Sequence, residues 1–349
     1  MTALALLLPG AIDQRTGGYL YARHLVDTLR AQGHEVRVFE LAGRFPGADD
    51  VARAAAAEAL ATLPTGAAAV IDGLALSGFA DCLADEARRL RLLALVHHPL
   101  ALETGLDAAS RHRFAALEAR LLPLFASIIC PSRHTAAAVE AYGVARVRIA
   151  VVPPGTAKPA RPPPHPPHAG KLRLLSVASV TPRKGHLVLV DALARLVSLP
   201  WRLTIIGSLV RDPAYVAALR WRVATHRLGA RVALAGEWAP ARLCRAYAEA
   251  DLFVLASYHE GYGMACAEAT AHALPIVATD AGAIPETVPA RAGILVPPGN
   301  AAALAAALAR VIADRALRRR LGRAAAAAEL PSWDETARRF SDACKRLLA

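Results

Sequence analysis

Short apolar runs alternate along the chain with longer stretches of helical period. ALALLLP (3–9) leads into YLYARHLVDTLRAQG (19–33), where apolar positions recur every three or four residues, and then into EVRVFEL (35–41). AAVIDG (68–73), LLALVHH (92–98), SIICPS (127–132) and RIAVVPPG (148–155) follow. These runs are apolar without a polar alternation, as strands covered on both faces are. Strand–helix–strand succession predicts a parallel, doubly wound sheet.

TAKPARPPPHPPHAGK (156–171) interrupts the pattern. Proline continues neither a helix interior nor a central strand, so a semi-extended linker over 158–170 is expected. A second series then begins: LRLLSVAS (172–179), WRLTIIGS (201–208), RVALAG (231–236), LFVLAS (252–257), PIVATD (275–280) and GILVP (293–297). The expected fold class is therefore α/β, with two Rossmann-like doubly wound domains, 1–157 and 171–330, and a terminal helix over 331–349. The halves are alike in pattern and not in sequence. Ligands of open α/β sheets bind beyond the carboxyl ends of the strands. Two such domains facing an interdomain cleft would let a donor and an acceptor meet.

Composition sharpens this only in part. The 349 residues are 55% hydrophobic and 20% charged, which is globular. No apolar run reaches the ~18 residues of a membrane span. Thr2–Leu8 has no basic segment before it and reads as a first strand, not a signal peptide. A cytoplasmic protein is expected. The five cysteines (82, 130, 244, 266, 344) lack any C-x-x-C and read as reduced thiols. Residues 1–165 hold 17 Lys and Arg against 15 Asp and Glu, so the remainder carries +10 of the net +12. That excess is a solvated helix face or an attraction to a polyanion: a diphosphate ligand, an acidic membrane surface or nucleic acid. Aromatics are sparse and not interleaved with basic residues, which argues against a stacking platform for single strands.

Chemistry concentrates after strands. Gly17 and Gly18 stand between the first strand and its helix, where glycine permits close backbone approach and a helix N-terminus offers free N–H groups to an anion. An ordinary flexible turn has the same residues. His97 and His98 end the fourth run, placed to hydrogen-bond a sugar hydroxyl or a leaving phosphate, or simply to pack. Arg183, Lys184 and Gly185 follow the first strand of the second half, where a cation can neutralise phosphate. In HEGYGMACAEATAHALP (259–275), Glu260 precedes a Gly-Tyr-Gly turn and Glu268 lies one turn into a helix beginning at Met264. Glycine amides there suit a diphosphate, and the acids suit paired sugar hydroxyls. Alternatively, Glu268 only complements the helix N-terminus.

These residues resemble a known family. EGYGMACAEATAHALPIVATDAGAIPE looks like the E-x7-E signature of the retaining glycosyltransferases of family 4, which have the GT-B fold. TGGYLYARHLVDTLRAQGHEV, SRHTAAAVEAYGV, VVPPG, TPRKGH, LTIIGS and SWDETARRF fall in the family's order, so the likeness covers essentially the whole chain. The resemblance implies that Glu260 contacts donor-sugar hydroxyls and Glu268 the ribose. It assigns Lys184 to the diphosphate, and the amides of Gly261, Tyr262, Gly263 and Met264 to the sugar and diphosphate. Gly17 and Gly18 would border the donor phosphates or the acceptor, and His98 or its neighbour His97 would face the transferred sugar. The helix after Trp333 would cross back to the N-terminal domain. Many members carry arginine five positions before the lysine; here that residue is Ser179, and Arg183 is the candidate to supply the charge.

The implied activity is retaining transfer from a nucleoside diphosphate sugar to an acceptor hydroxyl. It uses no cofactor and no metal, since no D-x-D pair ends a strand and Asp49-Asp50 lies in a loop. The acceptor is a saccharide, a lipid-linked saccharide or a small molecule, with peripheral membrane contact left open. Two rivals stand beside this reading. One is a nucleotide-sugar epimerase or phosphorolytic enzyme of the same architecture, with His97 or His98 as its acid/base. The other is a non-catalytic sugar-nucleotide binder.

Overall fold

Each of the twelve apolar runs overlaps one strand of the computed structural model, which describes residues 3–159 and 170–346. The chain begins β1 (Ala3–Pro9), α1 (Gly17–Ala31), β2 (Glu35–Leu41), α2 (Asp50–Ala61), β3 (Ala68–Asp72) and α3 (Leu83–Glu86). It continues β4 (Arg91–Leu95), α4 (Ala108–Leu121), β5 (Ser127–Cys130), α5 (Arg133–Glu140) and β6 (Ile149–Val151). The second series runs β7 (Leu172–Val177), α6 (His186–Ala194), β8 (Trp201–Ile206), α7 (Pro213–Thr225), β9 (Val232–Leu234) and α8 (Pro240–Glu249). It ends β10 (Leu252–Leu255), α9 (Met264–Ala271), β11 (Ile276–Thr279), α10 (Ile284–Thr287), β12 (Gly293–Val296), α11 (Ala301–Ala313) and α12 (Arg315–Ala326). The last helix is α13 (Trp333–Lys345).

Contacts divide the chain into two units, Met1–Gly155 with Pro331–Ala349, and Thr156–Leu330. Of the expected linker, residues 160–169 lie outside the described residues. The first unit holds a parallel six-stranded sheet of order β2-β1-β3-β4-β5-β6. The second holds another, of order β12-β11-β10-β7-β8-β9. Parallel neighbours need crossovers, and the helices that make them cover the faces. That is why the strands are apolar throughout: Leu6, Leu7 and Leu8 are all buried, and so are Val70 and Ile71. In the second unit Leu174 and Leu175 enter separate core clusters, as successive strand residues facing opposite ways must.

Sheet order fixes where a ligand can sit. In the first unit the chain leaves β1 for β2 on one side, then returns to β3 on the other. In the second it runs β7-β8-β9 one way, then restarts at β10 beside β7. Each reversal opens a crevice beyond the carboxyl ends of the two strands that flank it.

The helix α13 belongs to the first unit. Ser332 caps it, accepting from the Glu335 N–H while the Glu335 carboxylate accepts from the Ser332 N–H. The Thr336 hydroxyl donates to the Pro153 carbonyl at 2.8 Å, and Trp333 stacks on His24 of α1. Gly155 passes so close that a Cβ there would lie 2.5 Å from the Trp333 nitrogen. Asp49 and Asp50, expected in a loop, instead cap and open α2, where Asp49 accepts from the Ala52 N–H.

Candidate active site

In the second unit the site residues gather beyond β7 and β10, the strands at its reversal. After β7 a short 3-10 turn, Pro182–Lys184, ends on Gly185 in the left-handed region (φ 65°). A Cβ on Gly185 would run into the Ala256 carbonyl, so only glycine lets this turn cross the end of β10. The crossing is held from both sides: the Tyr258 N–H donates to the Arg183 carbonyl at 2.8 Å, and the Arg183 guanidinium donates to the His259 carbonyl at 3.0 Å.

This delivers two cations to one acid. The Lys184 ammonium donates to Glu260 Oε1 at 2.6 Å, as does the Ser257 hydroxyl, and the Arg183 guanidinium lies 3.7 Å from Oε2. Glu260 is only 6% exposed. Burial pushes its carboxyl upward, but Lys184, Arg183 and the hydrogen bonds outweigh that and hold it at about 2. Its backbone is fixed too: the Ala283 N–H donates to the Glu260 carbonyl, against which Gly282 packs too closely for any side chain. Lys184 and Glu260, expected to serve separate parts of a ligand, are here bonded to each other. Ser179, at the position where the family often has arginine, is half-buried and brings no charge.

Gly263 (φ 93°) turns the chain into α9. The Cys266 N–H folds back onto the Gly263 carbonyl, leaving the amides of Met264 and Ala265 to open the helix. Gly261, Tyr262 and Gly263 form the turn itself, and Gly261 and Gly263 are buried. Glu268, five residues into α9, does more than complement the helix end. The buried Tyr247 of α8 donates its hydroxyl to Glu268 Oε2 at 2.7 Å, and burial raises the carboxyl despite that bond. Tyr247 also stacks on His272, whose ring nitrogen meets the Glu268 carbonyl at 2.9 Å.

The first unit brings together a different set. Gly17 and Gly18, expected just before the helix, are its first two residues; Thr16 is the N-cap but its side chain makes no cap bond. Helical dihedrals there leave their amides at the open end of α1. A Cβ on Gly18 would lie 3.0 Å from His97 Cδ2, so glycine sets how near α1 comes to that ring. His97 Nε2 lies 3.2 Å from the buried carboxylate of Asp72, at the end of β3, and the Tyr21 ring meets His97 edge-on. Asp72 also accepts from the Leu74 N–H at 2.8 Å. His97 and His98 do not end a strand as expected; β4 stops at Leu95 because the chain turns toward Pro99. The two rings part there. His97 faces Asp72 and Gly18, while His98 Nε2 turns to Glu103 at 3.3 Å.

Asp72, Ser257 and Tyr247 were not anticipated from the sequence. Asp72 carried a readable signal, a lone acid closing the otherwise apolar run AAVID. The other two carried none, since a serine or tyrosine beside a strand is ordinary. Among the described residues no three His, Cys, Asp or Glu side chains gather as a metal site requires, and no helix is long and apolar enough to cross a membrane.

Comparison with known proteins fits this geometry. A family model described as Glycosyltransferase Family 4 matches residues 16–157, and one described as Glycosyl transferases group 1 matches 158–328. The chain belongs to the family 4 glycosyltransferases. A D-inositol 3-phosphate glycosyltransferase of Nocardia farcinica is 34% identical over 216 residues, 56% of this chain and 47% of that protein. Another, from Streptomyces bingchenggensis, is 40% identical over 98 residues, 28% of this chain and 22% of that one. The matched stretches thus take in less than half of either relative. Among solved structures, a sucrose-phosphate synthase from Thermosynechococcus elongatus superposes with a TM-score of 0.83 at 22% identity, covering 100% of this chain and 99% of its own. Anabaena HepE, solved with UDP and glucose, gives 0.75 at 19% identity, covering 99% and 100%. These likenesses establish the two-unit α/β GT-B fold.

Proposed function

We propose that this glycosyltransferase moves a sugar from a nucleoside diphosphate sugar to an acceptor hydroxyl, with retention and without a divalent cation. The observation that carries the reading is the cluster of half-buried Lys184 and Arg183 on the buried Glu260 at the strand reversal of the second unit. Two cations share one carboxylate there. An arriving diphosphate competes for Lys184, and Glu260, still held by Ser257, is then released to accept from sugar hydroxyls. Glu268 takes the ribose hydroxyls, and the amides at the mouth of α9 face the phosphates. That Anabaena HepE was solved with UDP-glucose supports this donor class.

The chemistry asks little of side-chain bases. The bond from the anomeric carbon to the diphosphate breaks, and its electron pair leaves on the phosphate oxygen. The acceptor oxygen bonds the same carbon on the same face, and its proton passes to that phosphate oxygen. Lys184, Arg183 and the helix amides stabilise the developing charge in the role a cation would otherwise fill. His97, oriented by Asp72, hydrogen-bonds the transferred sugar.

A thermal-shift panel of nucleotide sugars, followed by mass spectrometry of products with saccharide, lipid-linked and small-molecule acceptors, tests this. Lys184→Ala is expected to lower turnover by about 100-fold, on the scale of losing one preorganised charge donor. Unchanged transfer by that variant would sink the reading. One observation favours an epimerase instead: the Asp72–His97 pair has the form of an oriented base. Deuterium uptake into the donor sugar, in heavy water without acceptor, would establish that rival; no uptake removes it.

A further inference from the structure

Among the described residues three acidic residues are buried over their whole length, backbone included: Asp72, Glu118 and Glu260. Burying a carboxylate is costly unless its oxygens are matched by donors. Asp72 meets His97 and Glu260 meets Lys184, so two of the three each touch a candidate residue of their own unit. Glu118 lies on α4, 2% exposed, and no role has been given to it.

Its partners lie in the segment that carries the histidines. Glu118 Oε1 accepts from the Leu100 N–H at 2.6 Å and Oε2 from the Ala101 N–H at 3.2 Å. Leu100 and Ala101 open the 3-10 turn Leu100–Leu102 directly after Pro99. The first N–H groups of such a turn have no acceptor within it, and both residues are buried. One carboxylate, presenting two oxygens, takes both. The other end of the segment is pinned separately: the Val96 N–H donates to the Ile129 carbonyl, and the Thr135 hydroxyl to the His97 carbonyl at 3.4 Å. Between Val96 and the Leu100 turn stand only His97, held at its carbonyl, with His98 and Pro99, and proline restricts the residue before it.

We infer that Glu118 is a positioning residue for His97, fixing the turn after His98 so that the His97 ring stands between Asp72 and Gly18. The inference rests on the proposed role of His97 at the transferred sugar. A glutamine at 118 keeps the shape but presents one acceptor where two N–H groups need one each, and sets an NH₂ against the second. The segment then relaxes, and His97 moves relative to Asp72.

Two measurements on the full chain test this. The first is NMR of the imidazoles in histidine-labelled protein. Glu118→Gln is expected to shift the His97 resonances, while those of His226, in the other unit, stay put. The second is kinetic. Glu118→Gln is expected to lower kcat by about 10-fold or more, as displaced site groups do, with donor KM within about twofold. In a His97→Ala background the same substitution is expected to change kcat less than about twofold, because the two act as one unit. Unmoved His97 resonances, or an equal loss of kcat in both backgrounds, would overturn the inference. Should the glutamine variant fail to fold, Glu118→Asp keeps the charge but retracts it from the turn, and is read the same way. If the wild-type chain transfers from no donor at all, the proposed function fails, while the His97 resonances still decide the place of Glu118.

Discussion

Glu260 and Glu268 lie eight positions apart in sequence, yet their surroundings push them in opposite directions. Burial raises both carboxyls, but Lys184 and Arg183 reverse the effect at Glu260 and bring it from 4.5 to about 2. A depressed carboxyl contributes stability that is present above its unfolded value and is lost as pH falls through the folded one. Glu260 should therefore contribute about 3 kcal/mol at neutral pH, lost between roughly pH 5 and pH 2. Urea unfolding at pH 6 and pH 3, in the wild type and in Glu260→Gln, checks this: the variant should show a smaller acid loss. Glu268 carries the opposite sign. Its carboxyl is raised, so ionising it costs stability as pH climbs past the ordinary 4.5. Glu268→Gln should keep the bond from Tyr247, leave the melting temperature equal or higher, and weaken nucleotide binding about 10-fold or more. A stability cost maintained for the sake of a ligand is a common mark of a binding residue. Both acids were visible in the sequence as candidates. Their opposite environments were not, because these depend on Tyr247 and on a lysine 76 positions upstream.

Secondary elements were the most legible level, and for one reason. A strand buried on both faces has no choice but to be apolar, so all twelve runs announced themselves, with ends misplaced by a few residues where turns begin. The fourth run ended too late because Val96, His97 and His98 continue its apolar and aromatic character while the backbone already bends toward Pro99. Junctions were less legible. Nothing local in TGGY says that the second glycine faces His97 across the unit. Gly18 has ordinary helical geometry, so alanine suits the helix better there, by about 0.8–1 kcal/mol. Its Cβ would nevertheless press on the His97 ring. Gly18→Ala should therefore hold or raise thermal stability and still lower turnover, with the His97 resonances displaced. A drop in both would mean that the glycine serves packing alone.

At the scale of the whole molecule, the last helix is built from chain that follows the second unit and yet completes the core of the first. In SWDETARRFSDACKRLL the polar residues outnumber the apolar, but Ala337, Phe340, Ala343 and Cys344 fall on one buried face. Periodicity alone marks this stretch as an amphipathic helix without saying which unit receives it. That choice is written in the receiving surface: Gly155 clears the way for Trp333, His24 stacks on it, and Pro153 accepts from Thr336. The core of the first unit is therefore complete only with α13 in place. Phe340→Ala should cost about 3–5 kcal/mol through the cavity it leaves, and that loss should fall on one unit. Hydrogen exchange should speed up in α1 and β5, while the amides of β7, β8 and β10 keep wild-type protection. Because Lys184, Glu260 and Glu268 all lie in the second unit, nucleotide binding should survive the substitution even as the segment bearing His97 loosens. Equal deprotection of both units would show that the two cores unfold as one, and that the terminal helix stabilises more than the unit it joins.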